Sequence, residues 1–316
     1  MSAATAQQAG DATQQRPGSL RVWFQAVRFF SFTASIVPIV VGSALALFDR
    51  TFDALLFVVM LSASVACHAG ANLANDYFDD RKGIDTDDSL GPSKVIQLGY
   101  LTSAQVLRGT VVALGIATVL GLYVVYRTGW AILIVALLSL AAAVLYTGGP
   151  KPLGYVALGE ATVFVFMGLV MVGGAYYVHS GHFTGQSVLL PLPIASLVAA
   201  ILHCNNIRDI DFDHDAGKRT LANVLGRKWA NREYLGLVYG AYLAIVALVL
   251  YDRALWPALA AVVTLPIAID LVRTVSADSG PSELNVALRR TAGLHLRVGL
   301  FLTAGLIVAS AIDRYL

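Results

Sequence analysis

The chain has 316 residues, of which 57% are hydrophobic and 13% charged, and its mean hydropathy is +0.69. Charged residues make up about a quarter of a typical water-soluble domain, so this composition excludes that class and predicts an integral membrane protein. The net charge of +2 is too small for the basic face that binds nucleic acid, and Cys67 and Cys204 lie in separate apolar stretches, which favours core packing over a disulfide.

The first residues differ in composition from the rest of the chain. Residues 1–19 are rich in Ala, Gln, Gly and Thr and contain no long apolar run. This predicts a disordered N-terminal tail and not a cleavable signal peptide. We expect residues 20–316 to form a single transmembrane domain.

Apolar runs then recur at close to the roughly 20 residues that a helix needs to cross about 30 Å of hydrocarbon. They predict an all-α integral membrane protein, a bundle of about nine transmembrane helices. The predicted spans are 29–48, 54–74, 107–126, 130–146, 158–177, 189–204, 234–251, 255–272 and 296–312.

The links between these spans alternate between two faces. One face has short links or a link without Lys and Arg, and the other has the links 75–106, 147–157, 205–233 and 273–295. This alternation places 18 of the 22 Lys and Arg residues on the second face. Because positively charged loops stay in the cytoplasm, we expect that face and the N-terminus to be cytoplasmic, the C-terminus to lie outside, and the protein to lie in the cytoplasmic (inner) membrane.

Half of the 20 acidic residues lie in two short windows, each directly after an apolar span. In the first acidic window, residues 75–88, Asn75 and Asp79 are four residues apart and therefore share a helix face. Asp85 follows Gly83, where the helix should break.

The second acidic window, residues 205–215, repeats this spacing of an amide followed by carboxylates. Asn205 or Asn206 supplies the amide, and Asp209 and Asp213 supply the carboxylates. Like charges stacked four residues apart destabilise a helix unless a cation lies between them. Oxygen ligands suit Mg²⁺, which keeps some waters and bridges carboxylates to a substrate phosphate.

Other interpretations of the windows remain open. Both windows also fit ordinary solvated loops, the usual role of charge runs. Zinc is disfavoured because the nearby His203 and Cys204 are adjacent and point in different directions. Four other acids compete with the chosen ones, since spacing does not exclude them: Asp76, Asp80, Asp211 and Asp215.

Cations accompany the acids, as an anionic diphosphate ligand would require. Each of them also fits the role of an interfacial anchor, and for Arg219 that role is favoured. The basic residues in or near the windows and the neighbouring cytoplasmic segments are Arg28, Lys82, Lys94, Lys151, Arg208, Lys218 and Arg219.

Four sequence blocks match a known family: NLANDYFDDRKGID at 72–85, GPSKVIQLG at 91–99, LYTGGPKPLGYVALGE at 145–160 and NNIRDIDFDHDAGKRTL at 205–221. They resemble the UbiA superfamily of membrane prenyltransferases, and within it the 1,4-dihydroxy-2-naphthoate prenyltransferases of menaquinone synthesis. The blocks occur in the family's order, and RTAGLHLRVGL at 290–300 extends the likeness.

The resemblance implies a role for each matching residue. Lys94 and Arg208 would lie near phosphate oxygens, with Arg28 and Lys218 as further substrate-binding cations. Tyr146 would line the cavity facing the allylic carbon, or else belong to an aromatic belt. Apart from the resemblance, a carboxylated acceptor needs a cation, and Lys151, in the loop beside Tyr146 and Tyr155, would supply it. Glu160 stands where relatives often carry Asp, and it would either be functional or cap a helix. The implied ligands of magnesium and the diphosphate are Asn75, Asp79, Asp85, Asn206, Asp209 and Asp213.

The resemblance also implies a fold and a reaction. The fold would be a nine-helix bundle whose central cavity is capped by cytoplasmic loops. With Mg²⁺ as cofactor, the protein would transfer a polyprenyl chain from its diphosphate to an aromatic acceptor, 1,4-dihydroxy-2-naphthoate, with decarboxylation. Alternative acceptors are 4-hydroxybenzoate, homogentisate and a tetrapyrrole. An ion-coupled transporter is the alternative outside enzymes, but its acids should lie near the bilayer midplane and not at helix ends.

Overall fold

The computed structural model describes residues 18–82, 93–147, 151–215, 217–277 and 279–315. Within these ranges no residue belongs to a β-strand. The α-helices are α1 Ser19–Ala26, α2 Thr33–Phe48, α3 Ala54–Lys82, α4 Ser103–Thr128, α5 Trp130–Thr147, α6 Gly159–Val163, α7 Met171–Ser180, α8 Gly185–Leu189, α9 Pro191–Arg208, α10 Ile210–Asp215, α11 Leu221–Leu225, α12 Arg227–Tyr251, α13 Leu265–Ser276 and α14 Pro281–Tyr315. They are joined by the 3₁₀ segments Phe29–Phe32, Leu153–Tyr155 and Arg253–Thr264 and the π-helical segment Phe164–Val170.

Eight helical stretches in the described ranges are long and apolar enough to cross a membrane. They are Phe29–Phe48, Ala54–Arg81, Ser103–Thr128, Gly159–Ser180, Gly185–Arg208, Arg227–Tyr251, Arg253–Ser276 and Pro281–Arg314. A shorter apolar helix, Trp130–Tyr146, matches the remaining predicted span. The prediction of an all-α membrane protein with about nine transmembrane helices is confirmed.

Both acidic windows begin on membrane-spanning helices. Helix α3 continues for 29 residues, past its apolar part, and therefore carries Asn75, Asp76, Asp79 and Asp80 in helical geometry. Helix α9 ends at Arg208, and Asp209 leaves helical geometry with φ −101° and ψ 13° before α10 begins. The carboxylates of the second window are thus divided between a helix end and a short second helix.

The chain divides into two compact units, and each contains one acidic window. The first unit comprises Met1–Phe29 and Ala69–Val112. One side of α1 packs into the apolar core of this unit, where Val22 and Ala26 are buried. Leu20 and Phe24 of the same helix are exposed. The other buried members of this core are Leu73, Val95, Leu101 and Val106.

The second unit comprises Phe30–His68 and Ala113–Leu316. Small residues let its helices approach closely, as is common in membrane bundles. A Cβ added to Gly168 would lie 2.2 Å from the Cβ of Ala195, and one added to Gly305 would lie 2.7 Å from the Cα of Ala258. Gly168 therefore places the π-helical segment directly against α9, the helix that leads into the second acidic window.

Candidate active site

In the first unit, α3 places Asn75 and Asp79 on one face, as their spacing predicts. The Asn75 side-chain amide donates a hydrogen bond of 2.8 Å to Asp79 Oδ2. This bond turns the amide nitrogen of Asn75 toward the carboxylate. Asp85, the third predicted ligand of this window, lies outside the described residues.

Asp76 has a structural partner just after α1. Arg28 donates to Asp76 Oδ1 at 2.6 Å and to Asn75 Oδ1 at 2.9 Å, and the Ser93 hydroxyl donates to Asp76 Oδ2. The Asp76 side chain is 6% exposed. Both of its oxygens therefore have partners, and Asp76 serves to hold Arg28 and Ser93 in place.

The segment that contains Lys94 is anchored to the same cluster. Gln25 donates to the backbone oxygen of Ser93 at 2.6 Å, next to the hydroxyl that binds Asp76. Arg28 and Lys94 have positive φ values of 54° and 50°. Such values are uncommon for residues other than glycine, and strained backbone of this kind tends to occur at ligand-binding sites.

The last acid of the first window that the structure describes, Asp80, accepts a hydrogen bond of 2.6 Å from Ser103 at the start of α4. This bond ties the polar end of α3 to the next helix. Asp80 thereby has a structural role of its own within the first unit.

In the second unit, Asn205 pairs with Asp209 as Asn75 pairs with Asp79. The Asn205 amide donates to Asp209 Oδ2 at 3.3 Å. Arg208 donates to both oxygens of Asp209, at 2.7 and 2.6 Å, and to the side-chain oxygens of Asn205 and Asn285, each at 3.0 Å. No sequence signal pointed to Asn285, which lies 77 positions away on α14.

Asn206 faces a different partner from Asn205. It is 4% exposed, and its amide donates a hydrogen bond of 2.8 Å to Glu160 Oε1 at the start of α6. The two asparagines that spacing left open as alternatives therefore lie in different environments. Asn205 makes the pair with Asp209, and Asn206 is buried against Glu160.

Helix α10 separates its three carboxylates by burial. Asp213 is 4% exposed, whereas Asp211 and Asp215 are exposed. Lys218 lies 3.1 and 3.3 Å from the two oxygens of Asp213. Burial raises the pKa of Asp213, and Lys218 opposes that shift. The structure thus favours Asp209 and Asp213 as the inward pair over Asp211 and Asp215.

Backbone hydrogen bonds join the loop after α5 to Arg219, which follows the second acidic window. Ala157 donates to the Arg219 oxygen at 2.8 Å, and Arg219 donates to the Tyr155 oxygen at 3.3 Å. The Lys218 ammonium lies 5.6 Å from the centre of the Tyr155 ring. Two of the sequence blocks, 145–160 and 205–221, therefore meet in the folded chain.

Tyr146, at the end of α5, belongs to the same neighbourhood. A Cβ on Gly159 would lie 3.3 Å from the Tyr146 hydroxyl oxygen, so the hydroxyl reaches the residue next to Glu160. Lys151, in the adjoining loop, is exposed.

The donor types fit magnesium better than a transition metal. Within the described ranges no three His, Cys, Asp or Glu side chains converge on a metal-binding point. Each window instead presents carboxylate and amide oxygens. Magnesium suits such a set because it takes one or two carboxylates and completes its shell with water and phosphate oxygens.

Comparison with known proteins agrees with these features. The model of the UbiA prenyltransferase family matches residues 35–291. A 1,4-dihydroxy-2-naphthoate octaprenyltransferase from Bacillus subtilis (strain 168) is 32% identical over 300 residues, which cover 95% of this chain and 96% of that protein.

Solved structures share the fold. A UbiA homolog from Aeropyrum pernix K1 has a TM-score of 0.66 at 20% identity and covers 87% of this chain and 97% of its own. A UbiA homolog from Archaeoglobus fulgidus bound to DMAPP and Mg²⁺ has a TM-score of 0.63 at 11% identity and covers 89% of this chain and 99% of its own. The resemblance in the sequence blocks is confirmed, and this chain belongs to the UbiA prenyltransferase family.

Proposed function

We propose that this protein transfers a polyprenyl chain from polyprenyl diphosphate to 1,4-dihydroxy-2-naphthoate, with loss of carbon dioxide, in a magnesium-dependent step of menaquinone biosynthesis. The observation that carries the proposal is the second acidic window. There the inward carboxylates Asp209 and Asp213 each have a cation beside them, Arg208 and Lys218. A diphosphate would attract those cations and leave the carboxylates to a metal ion.

The names of two similar proteins support the substrates. The Bacillus subtilis relative is a 1,4-dihydroxy-2-naphthoate octaprenyltransferase, and the Archaeoglobus fulgidus homolog is bound to DMAPP and Mg²⁺. The first supports the acceptor, and the second supports an allylic diphosphate held with magnesium.

We assign the site residues to three tasks. Bound magnesium would neutralise the diphosphate and make it a better leaving group. Arg28, Lys94, Arg208 and Lys218 would bind the diphosphate oxygens and stabilise the charge that grows on them as the C–O bond breaks. The proposed magnesium ligands are Asn75, Asp79, Asp85, Asn206, Asp209 and Asp213.

The acceptor reacts only if its ring is held close to the allylic carbon. As the C–O bond breaks, the allylic carbon gains positive charge, and a ring carbon of the acceptor attacks it. Tyr146 would line this region and help to exclude water, which would otherwise trap the allylic centre as an alcohol. Exposed Lys151, next to Tyr155, would bind the acceptor carboxylate before it leaves as carbon dioxide.

We also propose the membrane location and orientation. The site would face the cytoplasm from the cytoplasmic (inner) membrane, with the N-terminus inside and the C-terminus outside. The distribution of 18 of the 22 Lys and Arg residues on one predicted face supports this orientation.

An acceptor assay tests the proposed reaction. Membranes that contain the protein are given labelled polyprenyl diphosphate with either 1,4-dihydroxy-2-naphthoate or 4-hydroxybenzoate, and prenylated product and carbon dioxide are measured together. We expect product and stoichiometric carbon dioxide with the naphthoate, loss of both with a chelator, and recovery with Mg²⁺. If 4-hydroxybenzoate were prenylated and the naphthoate were not, the proposed acceptor would be wrong, and the proposed magnesium dependence would be unaffected.

A further inference from the structure

A buried polar cluster contacts the second acidic window at Asn206. Its members are Glu160 from α6, His203 and Asn206 from α9 and Glu233 from α12, and of these only Asn206 has a part in the proposed chemistry. His203 is 0% exposed, and Glu160 and Asn206 are each 4% exposed. Polar groups this deeply buried are costly unless their hydrogen bonds are made, so their arrangement calls for a specific reason.

The contacts form a chain that ends at Asn206. His203 Nε2 lies 2.9 Å from the Ala230 carbonyl oxygen, and its Nδ1 lies 2.9 Å from Glu160 Oε1. The same Glu160 oxygen accepts the Asn206 amide at 2.8 Å. The Ala230 carbonyl can only accept, so it fixes the imidazole ring, and the ring in turn holds the carboxylate.

This chain decides which way the Asn206 side chain points. An ionised carboxylate only accepts hydrogen bonds, so the amide nitrogen of Asn206 must face Glu160. The amide oxygen, the only atom of that side chain suited to a hard metal ion, is then turned away from Glu160. A free asparagine would flip between the two orientations.

The cluster is poorly explained as packing alone. Glu160 Oε2 and Glu233 Oε2 are buried and have no hydrogen-bond partner among the described residues. Glu233 Oε2 lies 3.6 Å from His203 Nε2, the ring nitrogen that does not contact Glu160. Apolar side chains of similar size usually stabilise a core as well as buried charges do, so stability does not require these acids.

We propose that Glu160, braced by His203, is a positioning residue that orients the Asn206 amide oxygen toward the metal side of the second acidic window. The inference rests on the proposed role of Asn206 as a magnesium ligand. Groups that orient a metal ligand typically change metal affinity or activity by about 10- to 100-fold when they are removed.

The test is a double-mutant cycle between Glu160 and Asn206. We expect Glu160→Ala to raise the Mg²⁺ concentration for half-maximal activity by about 10- to 100-fold. Glu160→Gln keeps an acceptor oxygen for the Asn206 amide and should retain most activity. The double variant Glu160→Ala with Asn206→Ala should be no worse than Asn206→Ala alone, because Glu160 acts through Asn206.

A second readout does not depend on turnover. The thermal unfolding temperature of each variant is measured with and without Mg²⁺ and inorganic pyrophosphate. We expect Mg²⁺ with pyrophosphate to raise the unfolding temperature of the wild type and of Glu160→Gln. The same concentrations should raise the unfolding temperature of Glu160→Ala by less. Glu233→Gln is the matched control, since it removes a charge from the same cluster at the His203 nitrogen that does not contact Glu160, and its Mg²⁺ dependence should stay unchanged.

The outcomes separate the two proposals. If Asn206→Ala keeps wild-type Mg²⁺ dependence, the assigned ligand is wrong and the positioning role falls with it. If Asn206→Ala is impaired but the Glu160 and Asn206 effects are additive, the positioning role is wrong and the proposed function stands. An equal shift from Glu233→Gln, or loss of activity in a folded Glu160→Gln protein, would also overturn the positioning role.

Discussion

Within α10, Asp213 has a different environment from Asp211 and Asp215, because residues two apart point to different sides of a helix and residues four apart share a face. Asp213 is buried beside Lys218, and Asp211 and Asp215 are exposed. A buried carboxylate with one cation is well placed to exchange that cation for a metal ion when a diphosphate arrives. The exposed pair is already solvated and gains little from a ligand.

Removing one negative charge from an inward carboxylate should therefore abolish transfer. Asp79→Asn, Asp209→Asn and Asp213→Asn keep the side-chain shape and should each lose more than about tenfold in turnover at saturating Mg²⁺, which corresponds to over ~1.4 kcal/mol in the barrier. Asp211→Asn, on the exposed side of α10, should keep near wild-type turnover. The measurement is transfer in membranes with equal amounts of folded protein.

A reversed pattern would refute this assignment. If Asp213→Asn remained active while Asp211→Asn lost activity, the metal would belong to the exposed carboxylates. If the Asp209, Asp211 and Asp213 variants were all active, the second acidic window would have no part in metal binding.

At the scale of secondary structure, the position of α9 depends on a close contact at Gly168 that leaves no space for a side chain. Gly168 in the π-helical segment lies against Ala195, and an added Cβ would come within 2.3 Å of the Ala195 Cα. Backbone on both sides limits how far either element can move. Any side chain at position 168 therefore displaces α9, which carries Asn205, Asn206 and Arg208 at its end.

We expect Gly168→Ala to destabilise the protein by about 1 to 3 kcal/mol, the usual cost of overpacking. Gly236→Ala is the control, because Gly236 lies in α12 with nothing within 4 Å of the added Cβ. It should be neutral or slightly stabilising, since alanine favours helix by about 1 kcal/mol over glycine. Thermal unfolding in detergent measures both, and equal unfolding temperatures would contradict the close approach.

At the scale of the whole molecule, the arrangement across the membrane follows from counting spans. Three spanning stretches, Gly185–Arg208, Arg227–Tyr251 and Arg253–Ser276, lie between the exposed residues His182 and Ala277. An odd number of crossings places the two positions on opposite sides of a membrane. From the distribution of Lys and Arg we expect Ala277 to lie on the cytoplasmic side.

Cysteine labelling checks this arrangement. In a protein with Cys67 and Cys204 replaced by alanine, we expect His182→Cys to react with a membrane-impermeant reagent from outside intact cells. Ala277→Cys should react only after the membrane is opened. Labelling of both positions from the same side would mean that one of the three stretches does not cross.

Much of this architecture was predictable because hydropathy is a local property. Each apolar run that is long enough to span a bilayer is visible without knowledge of its neighbours, and so is the concentration of acids after two of the runs. The spacing of Asn75 and Asp79 likewise implied a shared helix face, because helix periodicity relates residues on one continuous element.

The tertiary structure alone decided which polar groups pair. Asp76 is matched by Arg28, 48 positions earlier, and Asn206 by Glu160, 46 positions earlier. Neither distance corresponds to any repeat of a helix, so spacing left Asp76 as a competitor of Asp79 and left Asn205 and Asn206 as alternatives for the amide. The sequence by itself determined that the protein lies in a membrane, where its spans run and where its acidic windows lie, because these features depend on composition and on neighbouring residues. The choice among the side chains within each window depends on burial and charge partners, which distant helices supply only after they pack.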